Sequence, residues 1–310
     1  MRFKNLDLNL LVVLDTLLKQ QSVTKTAEQL MLSPSAVSSS LSRLRDYFGD
    51  ELLSQVGRKM EITPRAESLQ DPVRDILSRI DSTILLQPVF EPHKTDRTFS
   101  IFVSDYTQLV LFPHLLALAE EQSSTARFNF LRQINTPHKD LERGEADLLI
   151  IPEEFVSPYN PYENLFTEDF VCLVWDQSKF AQQPLTQEIY LDARHIVMCL
   201  ADDRKDHIEL VLTKKYDVQR DVAVTSYSLT SLPALLIGTN NIATIHARLA
   251  KKMVGVLPLE IKPLPFDIGT MRQSIQWHQY RSKDPGLIWL RELLKSATKR
   301  MDNDTDKLFR

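Results

Sequence analysis

Apolar residues recur at helical spacing through the first eighty-odd positions, and short strand-like apolar runs take over from Thr98. The opening MRFKNLDLNLLVVLDTLLKQ puts Leu11, Leu14 and Leu18 on one side of an amphipathic helix. Residues 24–31 (TKTAEQLM) predict a short helix with Ala27 and Leu30 inward. Leu32-Ser33-Pro34-Ser35 then makes a turn: Ser33 is placed to cap the next helix, and Pro34 takes its first position, where a missing N–H costs nothing. From Ser35 to about Phe48, Val37, Leu41, Leu44 and Phe48 form one stripe, while Ser35, Ser38, Ser39, Ser42, Arg43 and Asp46 fall on the other side.

That split points to a winged helix-turn-helix. The apolar stripe fixes the helix in its bundle and leaves a row of small hydroxyls and one long cation outward, able to approach a groove and bond base edges or phosphates. Val23, Thr24, Ser33, Pro34, Ser35, Ser38, Ser39, Ser42 and Arg43 are the candidate DNA-binding residues. The alternative is a serine-rich solvated face on an ordinary bundle. Arg58 and Lys59, beside Gly57 and between Leu52-Leu53 and Met60-Ile62, add a basic hairpin tip suited to backbone phosphate. Residues 1–65 hold nine Lys or Arg against seven Asp or Glu, so the N-terminal part is mildly cationic in a chain of net charge −4.

Thr63-Pro64 repeats the cap-plus-proline start. Leu69, Val73, Ile76, Ile80 and Ile84 follow at nearly 3.5-residue spacing, a seam that pairs helices side by side or packs on its own domain. Pro72 inside the pattern predicts a bend or a restart. Residues 87–97 (QPVFEPHKTDR) read as a hinge.

Beyond it, candidate strands at 98–103, 127–131, 147–151, 169–175, 195–200, 221–225 and 274–278 alternate with helical stretches at 113–122, 138–143, 207–215, 228–237 and 285–299. The alternation argues for a largely parallel sheet covered by helices, and its length argues for two lobes. In such sheets a ligand sits beyond the carboxyl ends of the strands. Those ends are Ser104-Asp105-Tyr106, Pro152-Glu153-Glu154 and Thr225-Ser226-Tyr227, with Phe112, Phe155 and Tyr227 as apolar walls. Ser104 and Ser226 could equally serve as helix caps, and His207 opens a helix where a lone histidine is more often structural.

Composition adds exclusions. At 310 residues and 43% apolar the chain suits two or three globular units. Two cysteines without CxxC spacing, Cys172 and Cys199, read as reduced thiols of a cytoplasmic protein. The N-terminal apolar run is broken by Asp7, Asn9 and Asp15 and lacks a small-residue cleavage site, so it is read as a helix and not a signal peptide. No run of about 18 apolar residues occurs, so no membrane span is expected. GxSxG, HExxH, GxxxxGK[ST] and GxGxxG are absent and the seven histidines lack metal-ligand spacing. No catalytic residue, metal or cofactor is assigned, and an enzyme is not expected.

The order LDLNLLVVLDTLL, SVTKTAEQLMLSPSAVSSSLSRLRDYFGDELL, GRKMEITPRAE, RTFSIFVSDY, LERGEADLLIIPEEF and DPGLIWLRELL resembles the LysR-type transcriptional regulators, in the branch of the nodulation regulators and the regulators of aromatic-compound degradation. The resemblance implies an α+β multidomain chain. Residues 1–63 would be a winged helix-turn-helix, 64–90 a linker and dimerisation helix with a hinge, and 91–310 a two-lobed effector-binding domain like periplasmic solute-binding proteins. Lobe I would take about 91–165 and 266–310, lobe II about 166–265, with crossovers near Phe166 and Pro265. It further implies a tetramer built from dimers, double-stranded promoter DNA as partner, and RNA polymerase as a candidate partner. A small effector, aromatic or carboxylated, would lie near Ser104, Asp105, Tyr106, Pro152, His207, Thr225 and Ser226. Activation and repression stay open, as do two other readings: a solute-binding protein, and a cytosolic α/β enzyme with a helical N-terminal extension.

Overall fold

The computed structural model describes residues 2–3, 6–56, 59–83, 89–132, 137–199, 207–217 and 219–307. The chain forms two compact units, Met1–Gln87 with Glu142–Gly144, and Pro88–Leu141 with Glu145–Arg310.

The first unit runs β1 (Arg2–Phe3), β2 (Leu6–Asp7), α1 (Asn9–Gln20), α2 (Val23–Leu30), α3 (Pro34–Phe48), β3 (Leu53–Val56), β4 (Lys59–Ile62) and α4 (Pro64–Thr83). Ser33 Oγ accepts from the Ala36 amide at 3.1 Å, so α3 begins at Pro34 as the sequence predicts. It ends at Gly49, whose φ of +62° is a left-handed turn that favours glycine. Leu14 and Leu17 of α1, Ala27 of α2, Val37, Leu41 and Leu44 of α3, and Leu52 and Leu53 form one buried core. Leu69, Val73 and Leu77 of α4 pack into that core, whereas Ile76 stays 43% exposed. Much of the expected pairing seam is therefore used within the unit. The restart expected at Pro72 does not occur, and α4 runs unbroken through it. Contacts on either side of Pro72 hold the helix: Leu69 packs against the core before it, and after it Val73 is buried and Arg74 Nε donates to Asp15 Oδ1 at 2.7 Å. Ile84, the last residue of the seam, lies outside the described residues.

The second unit runs β5 (Thr98–Phe102), α5 (Asp105–Glu121), β6 (Arg127–Leu131), α6 (Pro137–Glu142), β7 (Leu148–Pro152), β8 (Tyr162–Glu168), β9 (Phe170–Trp175), α7 (Gln187–Asp192), β10 (Arg194–Met198), α8 (His207–Tyr216), β11 (Asp221–Ser226), α9 (Leu232–Leu235), β12 (Asn241–His246), α10 (Ala247–Val254), β13 (Leu259–Lys262), β14 (Met271–Gln276) and α11 (Pro285–Lys307). One five-stranded sheet has the order β6-β5-β7-β14-β8, the other β11-β10-β12-β9-β13.

The expectation of a largely parallel sheet needs correction, because both sheets are mixed. β6-β5-β7 and β11-β10-β12 are parallel, but β14 runs antiparallel to β7 and β8, and β9 antiparallel to β12 and β13. The reason is connectivity. β8 passes into β9 with only Asp169 between them, and β13 returns to β14 across residues 263–270, so β9 and β14 enter their sheets without helical crossovers. A core that includes Phe99, Ile101 and Leu148 of the first lobe continues into Leu173, Ile196 and Ile245 of the second.

Two helices also differ from expectation. α5 starts at Asp105, not Pro113, because Ser104 Oγ accepts from the Thr107 amide at 3.2 Å and caps it. The helix expected over 228–237 shrinks to Leu232–Leu235. There the hydroxyls compete for the backbone: Ser226 Oγ accepts from the Ser228 amide at 3.1 Å, and Ser228 Oγ from the Ser231 amide at 3.3 Å.

Candidate nucleic-acid interface and effector cleft

Burial of Val37, Leu41 and Leu44 sets the rotation of α3, and Ser35, Ser38, Ser39, Ser42 and Arg43 consequently lie on its exposed side. Thr24 of α2, Ser33 and Pro34 are exposed beside them, while Val23 is half-buried against the core. Ser33 Oγ and Ser35 Oγ share a hydrogen bond of 2.9 Å. Arg43 is already engaged: its Nη2 donates to Asp7 Oδ2 at 2.9 Å. That bond first, and the Asn9 amide second, hold the Asp7 carboxyl below the usual carboxylate range. Arg45, which the sequence does not single out, ties α3 to the hairpin through Nε to Glu51 O (2.8 Å) and Nη2 to Leu53 O (2.7 Å). Lys59 opens β4, but its side chain and all of Arg58 lie outside the described residues.

In the second unit the carboxyl ends of the parallel strands of the two lobes approach each other. Asp105, at the start of α5, reaches the segment after β11: its Oδ2 accepts from Ser228 Oγ (2.7 Å), the Thr230 amide (3.0 Å) and Thr230 Oγ1 (2.8 Å). Burial pushes the Asp105 carboxyl up, but these bonds outweigh it and hold the group below its ordinary value. Beside this clasp the Arg132 guanidinium, past the end of β6, lies 4.9 Å from the ring of Tyr227, which is 77% exposed. Of the expected residues, Ser104 shares a 3.0 Å hydrogen bond with Thr107 Oγ1 in addition to its cap, and Ser226 shares one of 2.9 Å with Ser231 Oγ. Thr225 is exposed on the edge strand β11. Pro152 ends β7 in register with Gln273 of β14. The Gln273 side chain is buried, its Nε2 donates to Thr107 Oγ1 at 3.5 Å, and its Oε1 has no hydrogen-bond partner among the described residues. His207 begins α8, with its side chain outside the described residues.

Tyr106 is a correction. At 1% exposed it does not face the cleft. Its hydroxyl donates to Glu168 and its ring stacks on His246 with centroids 4.0 Å apart. Burial and the Glu168 carboxylate keep that phenol protonated far into the alkaline range. Glu168 in turn receives Arg248 Nη1 at 2.9 Å, and Arg248 Nη2 donates to Asp302 Oδ1 at 2.7 Å. Tyr106 therefore belongs to a buried polar hinge where the chain crosses between lobes. The helical offset explains it: one residue after Asp105 is about 100° further round α5, which turns Tyr106 inward. Phe112 is likewise buried, 4.2 Å from Phe130 between ring centroids, and Phe155 packs against the smaller core under β7, so neither is an open wall.

Sequence reasoning missed Ser228, Thr230, Arg132, Glu168 and Arg248. The hydroxyl-rich run Thr225-Ser226-Tyr227-Ser228-Leu229-Thr230-Ser231 was the available signal for the first two. Cys172 is buried, which pushes its thiol up to about 12, and Cys199 is exposed. Among the described residues no group of His, Cys, Asp and Glu could hold a metal ion, and no helix is long and apolar enough to cross a membrane.

Both regions match known proteins. Residues 8–67 match the bacterial regulatory helix-turn-helix proteins of the lysR family, and residues 92–299 match the LysR substrate binding domain. The chain belongs to the LysR family. This LysR-type transcriptional regulator thus joins a DNA-binding helix-turn-helix domain to an effector-binding domain. It is 36% identical to nodulation protein D 2 of Rhizobium leguminosarum bv. phaseoli, over 99% of this chain and 97% of that one. It is 37% identical to nodulation protein D 1 of Mesorhizobium japonicum, over 99% and 98%. Among solved structures, a probable transcriptional regulator from Pseudomonas aeruginosa superposes with a TM-score of 0.67 at 26% identity, covering 94% of this regulator and 97% of the other chain. Full-length OxyR from the same organism superposes with a TM-score of 0.73 over 95% of both chains; at 16% identity it supports the fold alone.

Proposed function

We propose that this LysR-type regulator reads promoter DNA with the exposed side of α3, and that a small aromatic or carboxylated molecule bound between the two lobes modulates it. The observation that carries the first half is the division of α3. Its apolar residues are buried while Ser35, Ser38, Ser39, Ser42 and Arg43 are exposed. Thr24, Ser33 and Pro34 flank that row, and Arg58 and Lys59 supply the phosphate contact at the hairpin. Val23 contributes by packing α2 in place. The facing strand ends at Ser104, Asp105, Pro152, Thr225 and Ser226 support the second half. A ligand there shifts the equilibrium between lobe arrangements only by its differential affinity for them. The protein acts in the cytoplasm as a homodimer paired further into a tetramer, and RNA polymerase is the partner of an activating form. Residues 1–63, 64–90 and 91–310 are its DNA-binding, linker and effector-binding parts. The family leaves the solute-binding and enzyme readings without a use for residues 8–67.

The test uses the full-length protein and duplex from its own upstream region at low ionic strength. Saturable binding that weakens as salt rises is expected, because phosphate contacts release counterions. A thermal-shift screen with flavonoids, salicylate-like acids and other small carboxylates then seeks the effector. Absence of duplex binding, with and without those compounds, would overturn the reading.

A further inference from the structure

A carboxylate already sits in the cleft, and it belongs to the chain. Asp105 of the first lobe presents one oxygen to three donors of the second, Ser228 Oγ, the Thr230 amide and Thr230 Oγ1, at 2.7–3.0 Å. Its other oxygen, Oδ1, accepts from the Tyr106 amide at 2.9 Å. Two hydroxyls and an N–H converging on one carboxylate oxygen make the arrangement that would hold the acid group of a small ligand. None of the three donors carries charge, so a second anion sharing them with Asp105 would meet its repulsion; the cation beside the clasp, Arg132, lies over the Tyr227 ring and not among the donors. An incoming acid must also compete with a group tethered at high effective concentration.

We propose that Asp105 is a specificity-determining residue: it fills in cis the donors that a carboxylate ligand would need, so the cleft admits ligands that are uncharged at the end meeting residues 228–230. This rests on the reading of the cleft as the effector site, and it narrows the expected effector class by removing free acids from that position.

The test is chemical rescue in the full-length protein, using sodium acetate against sodium chloride at equal ionic strength. Wild type should show the same thermal midpoint in both salts. Asp105→Ala should melt lower, and acetate should raise its midpoint saturably by about 2–4 °C, as binding to the folded state alone requires. Adding Ser228→Ala and Thr230→Val, which leaves the Thr230 amide as the one donor of the three, should weaken the rescue. Saturable stabilisation of wild type by acetate, or no rescue of Asp105→Ala, would overturn the proposal. If Asp105→Ala does not fold, the titration of the Asp105 carboxyl by NMR decides instead. It should lie below the usual aspartate range in wild type and rise in Ser228→Ala/Thr230→Val; an ordinary value in wild type would overturn the proposal. These outcomes are independent of whether any compound alters DNA binding, so failure of the effector reading would be seen separately.

Discussion

Arg97 meets Asp284 through two hydrogen bonds of 2.7 Å, Nη1 to Oδ1 and Nη2 to Oδ2. Arg281 Nη2 joins them, 2.6 Å from Asp147 Oδ1 and 3.1 Å from Asp284 Oδ2. Burial pushes the Asp284 carboxyl up, but the bond and charge of Arg97, then the charge of Arg281, hold it below the ordinary value. Because the folded value is the lower one, this contribution to stability is complete above the unfolded aspartate value of about 3.9 and is lost as pH falls through the folded value. Asp284→Ala leaves Arg97 inside the fold without its main partner, and about 3–5 kcal/mol of stability should be lost. Denaturant titration at pH 7 checks this, and the gap between variant and wild type should narrow in acid. Gly286 belongs to the same cluster, because a Cβ there would collide with the Arg97 guanidinium. None of this was legible in the sequence: Arg97, Asp147 and Asp284 lie far apart along the chain and no local pattern links them. Ser33 shows the opposite case, since a cap followed by proline is a local signal and the structure places the start of α3 there. Ser33→Ala should cost about 1 kcal/mol, read as a lower thermal midpoint.

At the scale of elements, apolar periodicity located α1, α2, α3 and α4 because each buries one stripe in one core. It could not say which of two partners α4 would choose. Leu69, Val73 and Leu77 turn to their own unit, and Ile76 stays exposed, where the proposed homodimer would meet it. Ile76→Lys should therefore weaken self-association while leaving the thermal midpoint of the first unit nearly unchanged. Sedimentation across a concentration series measures it. The face of α3 carries a second prediction. Arg43→Ala should weaken binding to the upstream duplex by about 1–3 kcal/mol if the side chain reads a base. A uniform loss on all sequences with a shallower salt slope would instead mark a phosphate contact. The Asp7 pair is no obstacle, since exposed ion pairs contribute little and are screened by salt. Strands were less legible. β13 has four residues, and β12 and β8 are interrupted by polar residues, so neither alternation nor a continuous apolar run marks them.

Across the whole molecule, the lobes meet at a buried hinge and at a half-buried clasp, which answer to different changes. Tyr106→Phe removes the hydroxyl that donates to Glu168 at the hinge and should cost about 1.5–3 kcal/mol, the usual range for a hydrogen bond to a charged group. Calorimetry of the full chain checks it, and duplex affinity of the protein that remains folded should be unaltered. Thr225→Val, on the exposed end of β11, should leave stability and duplex affinity nearly intact while blunting the response to an effector. Operator titrations with and without that compound would measure the change. The strand ends were visible in the sequence as runs of hydroxyls after apolar stretches. Their use was not, because periodicity places a residue on a strand and does not say which lobe its side chain will reach.

The two crossings of the chain have a modular consequence. Glu168, where the first lobe is left, is the direct β-sheet partner of Met271, where it is rejoined. Everything in between is an insertion whose two ends emerge side by side. A shortened gene joining these residues through a tight turn would convert β8 and β14 into an ordinary hairpin, with every strand of that sheet still in place. The half of the cleft that carries Ser228 and Thr230 thus enters and leaves the sheet of Asp105 at one paired position, and exchanging it between relatives would have to keep the stacking of His246 on Tyr106.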